Sequence, residues 1–186
     1  MRTFLAIEID AAIRGKIQAI RQRLRKANGD IKWVEEDNTH LTIKFIGEID
    51  AERLPELTAA IEQCAAASRG FEIAVRGVGT FPARRPRVLW VGAEDASGTL
   101  AGLHRAVDAA LSRFGVDEEG REFSGHLTLG RVRSGKNLDK LVAALEAEAP
   151  ADLGVTKVES LVLFESKLMP QGPRYSALAR IPLAGS

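Results

Sequence analysis

Two of the three histidines in this chain begin the same tripeptide, His40-Leu41-Thr42 and His126-Leu127-Thr128, and an apolar residue follows each tripeptide. Successive side chains of a strand point to opposite faces, so each histidine shares a face with its threonine. Imidazole titrates near neutral pH, so two imidazoles can act as general acid and general base without a metal. A threonine hydroxyl beside each adds a donor for developing negative charge. The pattern predicts an acid/base site built from His40, Thr42, His126 and Thr128.

The composition limits the partners that such a site can have. The chain has 186 residues and a formal net charge of +1, so no basic field covers the whole molecule. We expect local contacts with a small anionic substrate or an RNA end. Cys64 is the single cysteine, which excludes an internal disulfide framework and a multi-cysteine zinc site. The motif histidines lack the companion ligands of HExxH or CxxC patterns, so we expect no metal and no cofactor.

The apolar segments and the third histidine give further expectations. Phe4 to Ile7 form an apolar run that Glu8 interrupts, too short for a signal peptide. No segment approaches the roughly 20 apolar residues of a membrane span. We therefore expect an intracellular, cytoplasmic protein that does not contact membranes, and we expect it to be a monomer. His104 lies in a helical pattern near Arg105 and Asp108, and we predict it to be on the solvated surface.

Apolar periodicity predicts the elements that position the two motifs. The motif strands run from His40 to Ile46 and from His126 to about Val132. The order strand, helix, motif strand, helix, strand occurs twice, and the motif histidines are 86 residues apart (126 minus 40), which indicates an internal duplication. We predict the α+β class, with one bilobal domain over residues 1–186. Its two pseudo-twofold-related lobes would each line a central cleft with an antiparallel sheet and carry helices outside.

The two motifs and their flanks resemble the 2H phosphoesterases, in particular the RNA 2′,3′-cyclic phosphodiesterases, long called 2′-5′ RNA ligases. The matching segments are Met1 to Ile7, Trp33-Val34, His40 to Gly47, Phe81-Pro82, Arg85 to Val91, His126 to Val132, Ser166 to Leu168 and Gly172 to Tyr175. The resemblance implies two lobes with antiparallel sheets around a cleft. It also implies hydrolysis of 2′,3′-cyclic phosphates, at RNA 3′ ends or in nucleotides, to 2′-phosphomonoesters, with 2′-5′ ligation as the reverse reaction.

The same resemblance assigns roles to individual residues. His40 matches the proton donor, His126 the proton acceptor, and Arg131 an arginine that helps to hold phosphate. Thr42 and Thr128 complete the two motifs and would bind phosphate oxygens. Strict alternation along a strand would turn Arg131 away from His126, so a bulge or a strand end must re-aim it.

Three alternatives remain open from the sequence. Gly130 to Asn137 nearly match a phosphate-binding loop, although Asn137 replaces the required hydroxyl residue. A non-catalytic nucleotide-binding or RNA-binding module could use the same cleft, but binding alone does not need a matched proton donor and acceptor. A base could stack on Trp33 or Phe81, whereas we predict Trp90 to be core. Basic side chains that could contact RNA phosphates are Arg84, Arg85, Arg87, Lys44 and Arg133.

Overall fold

The computed structural model of the chain describes residues 1–83, 85–120, 122–170 and 172–185, and these residues form four helices and nine strands. The helices are α1 (Ala11–Arg25), α2 (Leu54–Ala66), α3 (Thr99–Ser112) and α4 (Leu138–Glu148). The strands are β1 (Arg2–Glu8), β2 (Ile31–Trp33), β3 (His40–Glu48), β4 (Phe71–Phe81), β5 (Val88–Glu94), β6 (His126–Val132), β7 (Asp152–Val158), β8 (Ser160–Met169) and β9 (Gly172–Pro182). The predicted α+β class is confirmed. Within the described ranges, no helix has the length and apolarity needed to cross a bilayer.

The nine strands form one antiparallel sheet that consists of two halves. One half has the order β3-β1-β8-β9, and the other has the order β6-β5-β4-β7 with β2 added to β6. The halves meet where β3 pairs with β6, through Leu41 and Leu127. The two predicted lobes are therefore two half-sheets that are joined between the motif strands.

Strands of the two duplicated units exchange between the halves of the sheet. β4 closes the first unit in sequence but pairs with β5, and β8 returns from the second unit to pair with β1. The helices exchange in the same way, since α1 packs with α4, and α2 packs with α3. Each half therefore contains elements from both units, which joins the two halves more firmly than a simple linker could.

The main apolar core lies between the helices and one face of the sheet. The leucines and isoleucine of the two motifs belong to this core and are at most 1% exposed: Leu41, Ile43, Leu127 and Leu129. Alternation along the strands consequently directs the histidines and threonines to the opposite face. The core thereby anchors both motifs while leaving their polar side chains in the cleft.

Gly130 explains how the short strand β2 reaches β6. A Cβ at this position would lie 2.7 Å from the Ile31 Cγ2 atom and 3.1 Å from the Lys32 carbonyl oxygen, so only glycine allows this close approach.

The segment that follows Gly130 continues as antiparallel strand to Val132. The phosphate-binding-loop alternative is therefore wrong, because its first residues are strand and not a loop between a parallel strand and a helix.

Candidate active site

The pairing of β3 with β6 places all four motif side chains around one point. Leu41 is opposite Leu127 in an antiparallel register, so His40 lies across from Thr128, and Thr42 lies across from His126. The two histidines are thus diagonal neighbours, a relation that separates Cα atoms by about 7–8 Å in antiparallel sheets. This spacing leaves room between the imidazoles for one phosphate group.

A β-bulge follows each motif at the same position. In β3 the register with β1 skips Ile43, and in β6 the register with β5 skips Leu129. Each skipped residue is the third after its histidine, and the extra residue reverses the alternation beyond it. The bulge in β6 turns Arg131 towards the cleft, where it lines the same cavity as His40, Thr42 and Thr128. The bulge that the sequence argument required for Arg131 is therefore present.

His126 is held in a defined tautomer on the same face of the sheet as His40, although it is not among the described residues that line the cavity. Its Nδ1 atom lies 2.8 Å from the carbonyl oxygen of Ser124. A carbonyl oxygen can only accept a hydrogen bond, so Nδ1 carries the proton and the neutral ring keeps a lone pair on Nε2. The Phe81 ring packs edge-on against the imidazole at a centroid distance of 5.2 Å and stacks on Trp90 at 5.0 Å. His126 can therefore accept a proton at Nε2.

His40 lies in an aromatic enclosure on the other side. Phe4 and Tyr175 have ring centroids 4.8 and 5.3 Å from the imidazole, and Phe164 lies at 6.3 Å. Burial lowers the pKa of His40 to about 4, although a hydrogen bond with the Asn38 backbone acts to raise it. In the free protein His40 is therefore neutral at pH 7. The backbone of the residue two positions upstream contacts each histidine, as Asn38 does here and Ser124 does for His126.

The segment before His40 is fixed by two side-chain contacts. Buried Arg21 of α1 donates to the Thr39 hydroxyl at 2.5 Å, and Asn38 Nδ2 donates to the Pro173 carbonyl at 3.0 Å. The second contact ties a 3₁₀ turn at Glu36–Asn38 to β9, the strand that carries Tyr175. These contacts set the direction from which His40 enters the cleft.

The cleft is more cationic than the chain as a whole. It has a volume of about 1280 Å³, and among its described lining residues eight side chains are Arg or Lys and three are Asp or Glu. The cations are Arg2, Arg14, Arg25, Lys32, Arg131, Arg133, Arg174 and Arg180. The formal charge of the whole chain is only +1, so this concentration of cations favours an anionic ligand in the cleft.

Tyr175 experiences two of these cations. Burial raises the pKa of its hydroxyl, whereas the charges of Arg131 and Arg2 act to lower it. Both arginines therefore lie near the ring that packs against His40. The phenol that packs against the His40 imidazole is therefore itself within reach of two cationic side chains.

Two predictions about charged residues are wrong. Lys44 cannot contact RNA, because the bulge turns it to the helical face, where it is 2% exposed and forms an ion pair with Asp108. A hydrogen bond from Lys44 holds the pKa of Asp108 below its ordinary value, although burial acts in the opposite direction. His104 is also buried, not solvated. It stacks on Phe123 at 4.5 Å, and its Nε2 atom lies 3.7 Å from Glu119.

The other candidate RNA contacts separate into two groups. Trp33 and Arg133 line the cleft, and the Arg25 guanidinium lies 5.4 Å from the centre of the Trp33 ring. Arg85 and Arg87 are exposed but do not line it, and Arg84 lies outside the described residues. Trp90, predicted as core, is half-buried on the cleft face beneath Phe81.

Sequence reasoning missed the aromatic residues around His40 as functional candidates. Phe4 and Phe164 are apolar strand residues that resemble ordinary core positions, so no local signal distinguishes them.

In the part of the chain that the structure describes, no three His, Cys, Asp or Glu side chains are grouped so that they could hold a metal ion.

Comparison with known sequences gives one family. A model of the 2′-5′ RNA ligase superfamily matches residues 9–166. The RNA 2′,3′-cyclic phosphodiesterase of Methanothermobacter thermautotrophicus is 33% identical over 177 residues, covering 95% of this chain and 95% of the relative. The enzyme of the same name from Methanocaldococcus jannaschii is 34% identical over 179 residues, with coverage of 96% and 98%.

Solved structures agree with the sequence comparison. The crystal structure of the Thermus thermophilus protein TT0787 superposes with a TM-score of 0.82 and 27% identity, covering 100% of this chain and 99% of the other. Escherichia coli LigT in complex with 3′-AMP superposes with a TM-score of 0.80 and 26% identity, covering 98% and 97%. The similarity therefore extends over the whole fold, including both motif strands.

Proposed function

Because the chain belongs to the 2′-5′ RNA ligase superfamily, we propose that it is an RNA 2′,3′-cyclic phosphodiesterase. It opens a 2′,3′-cyclic phosphate at an RNA 3′ end, or on a nucleotide, and leaves a 2′-phosphomonoester. The observation that carries this proposal is the register of Leu41 with Leu127, which brings two imidazoles to one face of the sheet, where His40 lines a cationic cleft. Two facing imidazoles supply a proton acceptor and a proton donor for a single displacement at phosphorus.

His126 is the general base in this mechanism. Its Nδ1 proton is directed to the Ser124 carbonyl, so the Nε2 lone pair is available for a proton from water. As water attacks, a new bond forms between its oxygen and phosphorus, and the proton passes to His126. The bond between phosphorus and the 3′ oxygen then breaks.

His40 is the general acid that protonates the departing 3′ oxygen. Its pKa of about 4 in the free protein results from burial, so it needs an opposite charge nearby to hold a proton at neutral pH. The bound phosphate supplies that charge, because an anion a few ångströms away raises the pKa of an imidazole. Substrate binding and protonation of His40 are therefore coupled.

Thr42, Thr128 and Arg131 bind the nonbridging phosphate oxygens. Both threonines share the cleft face with the histidines, and the β6 bulge aims Arg131 at the same cavity. Neutral and cationic donors placed where negative charge develops stabilise the transition state. The mechanism requires no metal ion and no cofactor, because every proton is moved by an imidazole.

The same site can transfer the phosphate to a nucleophile other than water. A 5′-hydroxyl in place of water would attack the cyclic phosphate and form a 2′-5′ linkage, with the two histidines in unchanged roles. Water is far more concentrated than an RNA end, so hydrolysis dominates.

The monomeric state and the cytoplasmic location expected from the sequence stay predictions.

The test is incubation of the purified chain with adenosine 2′,3′-cyclic phosphate, followed by identification of the product isomer. We expect the 2′-monophosphate, unchanged turnover in EDTA, and a loss of about 10² to 10⁴ in rate for His40→Ala and for His126→Ala. Circular dichroism of both variants controls for folding. Binding without turnover in the unaltered chain would favour the non-catalytic module, and full activity in either histidine variant would contradict the assigned roles.

A further inference from the structure

The chain that leads into His126 contains no helix or strand in its described residues 116–120 and 122–125, which we call the approach segment. Ser124 of this segment accepts the Nδ1 hydrogen bond of His126 through its carbonyl oxygen, at 2.8 Å. That bond keeps the proton on Nδ1, so the position of one carbonyl group decides whether Nε2 is free to accept a proton. The contacts that hold the approach segment therefore bear on the proposed chemistry.

Lys44 of the first motif strand reaches the approach segment on the helical face of the sheet. Its ammonium group donates to the Asp117 carbonyl at 2.7 Å and forms an ion pair with Asp108 of α3. The Asp108 carboxylate in turn accepts a hydrogen bond from the Glu119 backbone N–H at 2.9 Å. One buried ion pair therefore holds two backbone groups of the approach segment.

His104 of α3 provides a second anchor, closer to Ser124. Its ring stacks on Phe123, the residue directly before Ser124, with the centroids 4.5 Å apart and 28° between the planes. His104 is 3% exposed, and among the described residues its Nε2 atom has no hydrogen-bond partner, so the ring acts by packing. After Ser124, the Gly125 carbonyl accepts a hydrogen bond from the Ala93 N–H of β5 at 3.0 Å. Ser124 is therefore held from both sides.

The pair formed by Lys44 and Asp108 offers more than stability. Desolvation of two charges offsets much of their attraction, so apolar residues of similar size are often as stable as a buried ion pair. Apolar residues cannot reproduce direction, because only ammonium protons and carboxylate lone pairs bind particular backbone atoms. Lys44 also lies four residues after His40 (44 minus 40), so its contacts join the first motif to the segment that enters the second.

We propose that Lys44 and Asp108, together with the ring stack on α3, form a positioning device for His126. The device holds the approach segment so that the Ser124 carbonyl stays on Nδ1 and the Nε2 lone pair stays free. The inference rests on the proposed function, which makes His126 the general base. Without the device Nδ1 loses its acceptor, and a proton on Nε2 prevents the neutral ring from accepting one from water. None of the side chains of the device lines the cleft, so they act through Ser124 and are positioning residues.

The test compares turnover with the tautomer of His126 in Lys44→Met/Asp108→Leu, a double variant in which apolar groups replace both charges. We expect kcat for adenosine 2′,3′-cyclic phosphate to fall by about 10- to 100-fold, because a displaced or wrongly protonated base loses much of its contribution. KM should stay within about twofold, since the residues that line the cleft are unchanged. Nitrogen-15 NMR at about pH 9 should show the imidazole proton on Nδ1 in wild type and on both nitrogens in the variant. The matched control is Arg23→Met/Glu148→Leu, which removes an ion pair between α1 and α4 and should change neither kcat nor the tautomer.

His104 gives a second test that leaves the ion pair intact. His104→Phe keeps a ring on Phe123 and should keep kcat. His104→Ala removes the ring and should lower kcat, with the same change in the tautomer of His126. If circular dichroism shows that the double variant is unfolded, the comparison of these two variants decides the question.

Three results would overturn the proposal. They are a wild-type kcat with an unchanged tautomer in the double variant, a lower kcat with an unchanged tautomer, and equal losses in His104→Phe and His104→Ala. The two proposals fail separately, because NMR detects the tautomer without turnover. A tautomer change in a chain that does not hydrolyse the cyclic phosphate refutes only the hydrolase, and turnover that none of these variants alters refutes only the positioning device.

Discussion

Replacement of His40 by glutamine should change how the stability of the protein depends on pH. The pKa of His40 is about 4 in the folded protein and about 6.5 in an unfolded chain, so the unfolded state binds more protons between these values. Wild-type stability is therefore lost as the pH falls from about 6.5 towards 4. The full difference corresponds to about 3 kcal/mol, and about 2 kcal/mol of it is lost between pH 8 and pH 5. His40 keeps some contact with the cleft solvent, so we treat this as an upper value.

The assay is urea unfolding of wild type and His40→Gln at pH 8 and pH 5. The glutamine variant lacks the titrating group, so the free energy of unfolding of wild type relative to the variant should fall by about 2 kcal/mol at the lower pH. All other titrating groups cancel in this comparison. Tyr175→Phe is the control, since it alters a ring packed against His40 without a group that titrates in this range. A stability difference that is the same at both pH values would refute the burial of a neutral imidazole.

Three further changes test other parts of the structure. Arg131→Ala should lower kcat/KM by about 10- to 100-fold in steady-state assays, as expected for loss of a charge-assisted phosphate contact. Arg85→Ala is the control, because Arg85 lies outside the cleft and its loss should leave kcat/KM unchanged. Equal effects of the two substitutions would contradict the role of the bulge. Lys44→Met should cost about 3–5 kcal/mol in urea unfolding, because it leaves Asp108 buried without its cation, and an added Asp108→Leu should recover much of that loss. Gly130→Ala should cost about 1–3 kcal/mol, because its Cβ displaces β2, and a stability equal to wild type would show that β2 is not held by this contact.

The motif strands and their orientation follow from local patterns. Alternation along a strand already separates His40 and Thr42 from Leu41, and the structure places them on opposite faces as expected. The predicted strand of the second motif, from His126 to about Val132, agrees with β6. Such local features are predictable because they depend only on neighbouring residues and on burial of one face.

Alternation fails where a bulge interrupts it. Sequence reasoning anticipated a bulge for Arg131 because the family resemblance required that side chain in the cleft. The first motif offers no equivalent reason, so sequence reasoning predicts an RNA contact for Lys44 and no role for Phe45. The bulge at Ile43 reverses both, burying Lys44 against Asp108 and exposing Phe45.

The prediction that His104 is solvated is wrong for a related reason. Its helical neighbours Arg105 and Asp108 suggested a solvated face, but Asp108 is buried against Lys44 from β3. The ion pair that makes this burial tolerable joins residues 64 positions apart (108 minus 44), and a helix pattern contains no information about a partner at that distance.

The repeated motif and its family resemblance predict the reacting groups and the acid/base chemistry proposed for them. The distance between the two imidazoles, the low pKa of His40 and the direction of Phe45 depend instead on contacts between distant segments. One strand pair joins residues 41 and 127, and the rings around His40 come from β1, β8 and β9. Desolvation and cross-strand register arise only when these segments pack together, so they belong to the folded chain and not to any local pattern.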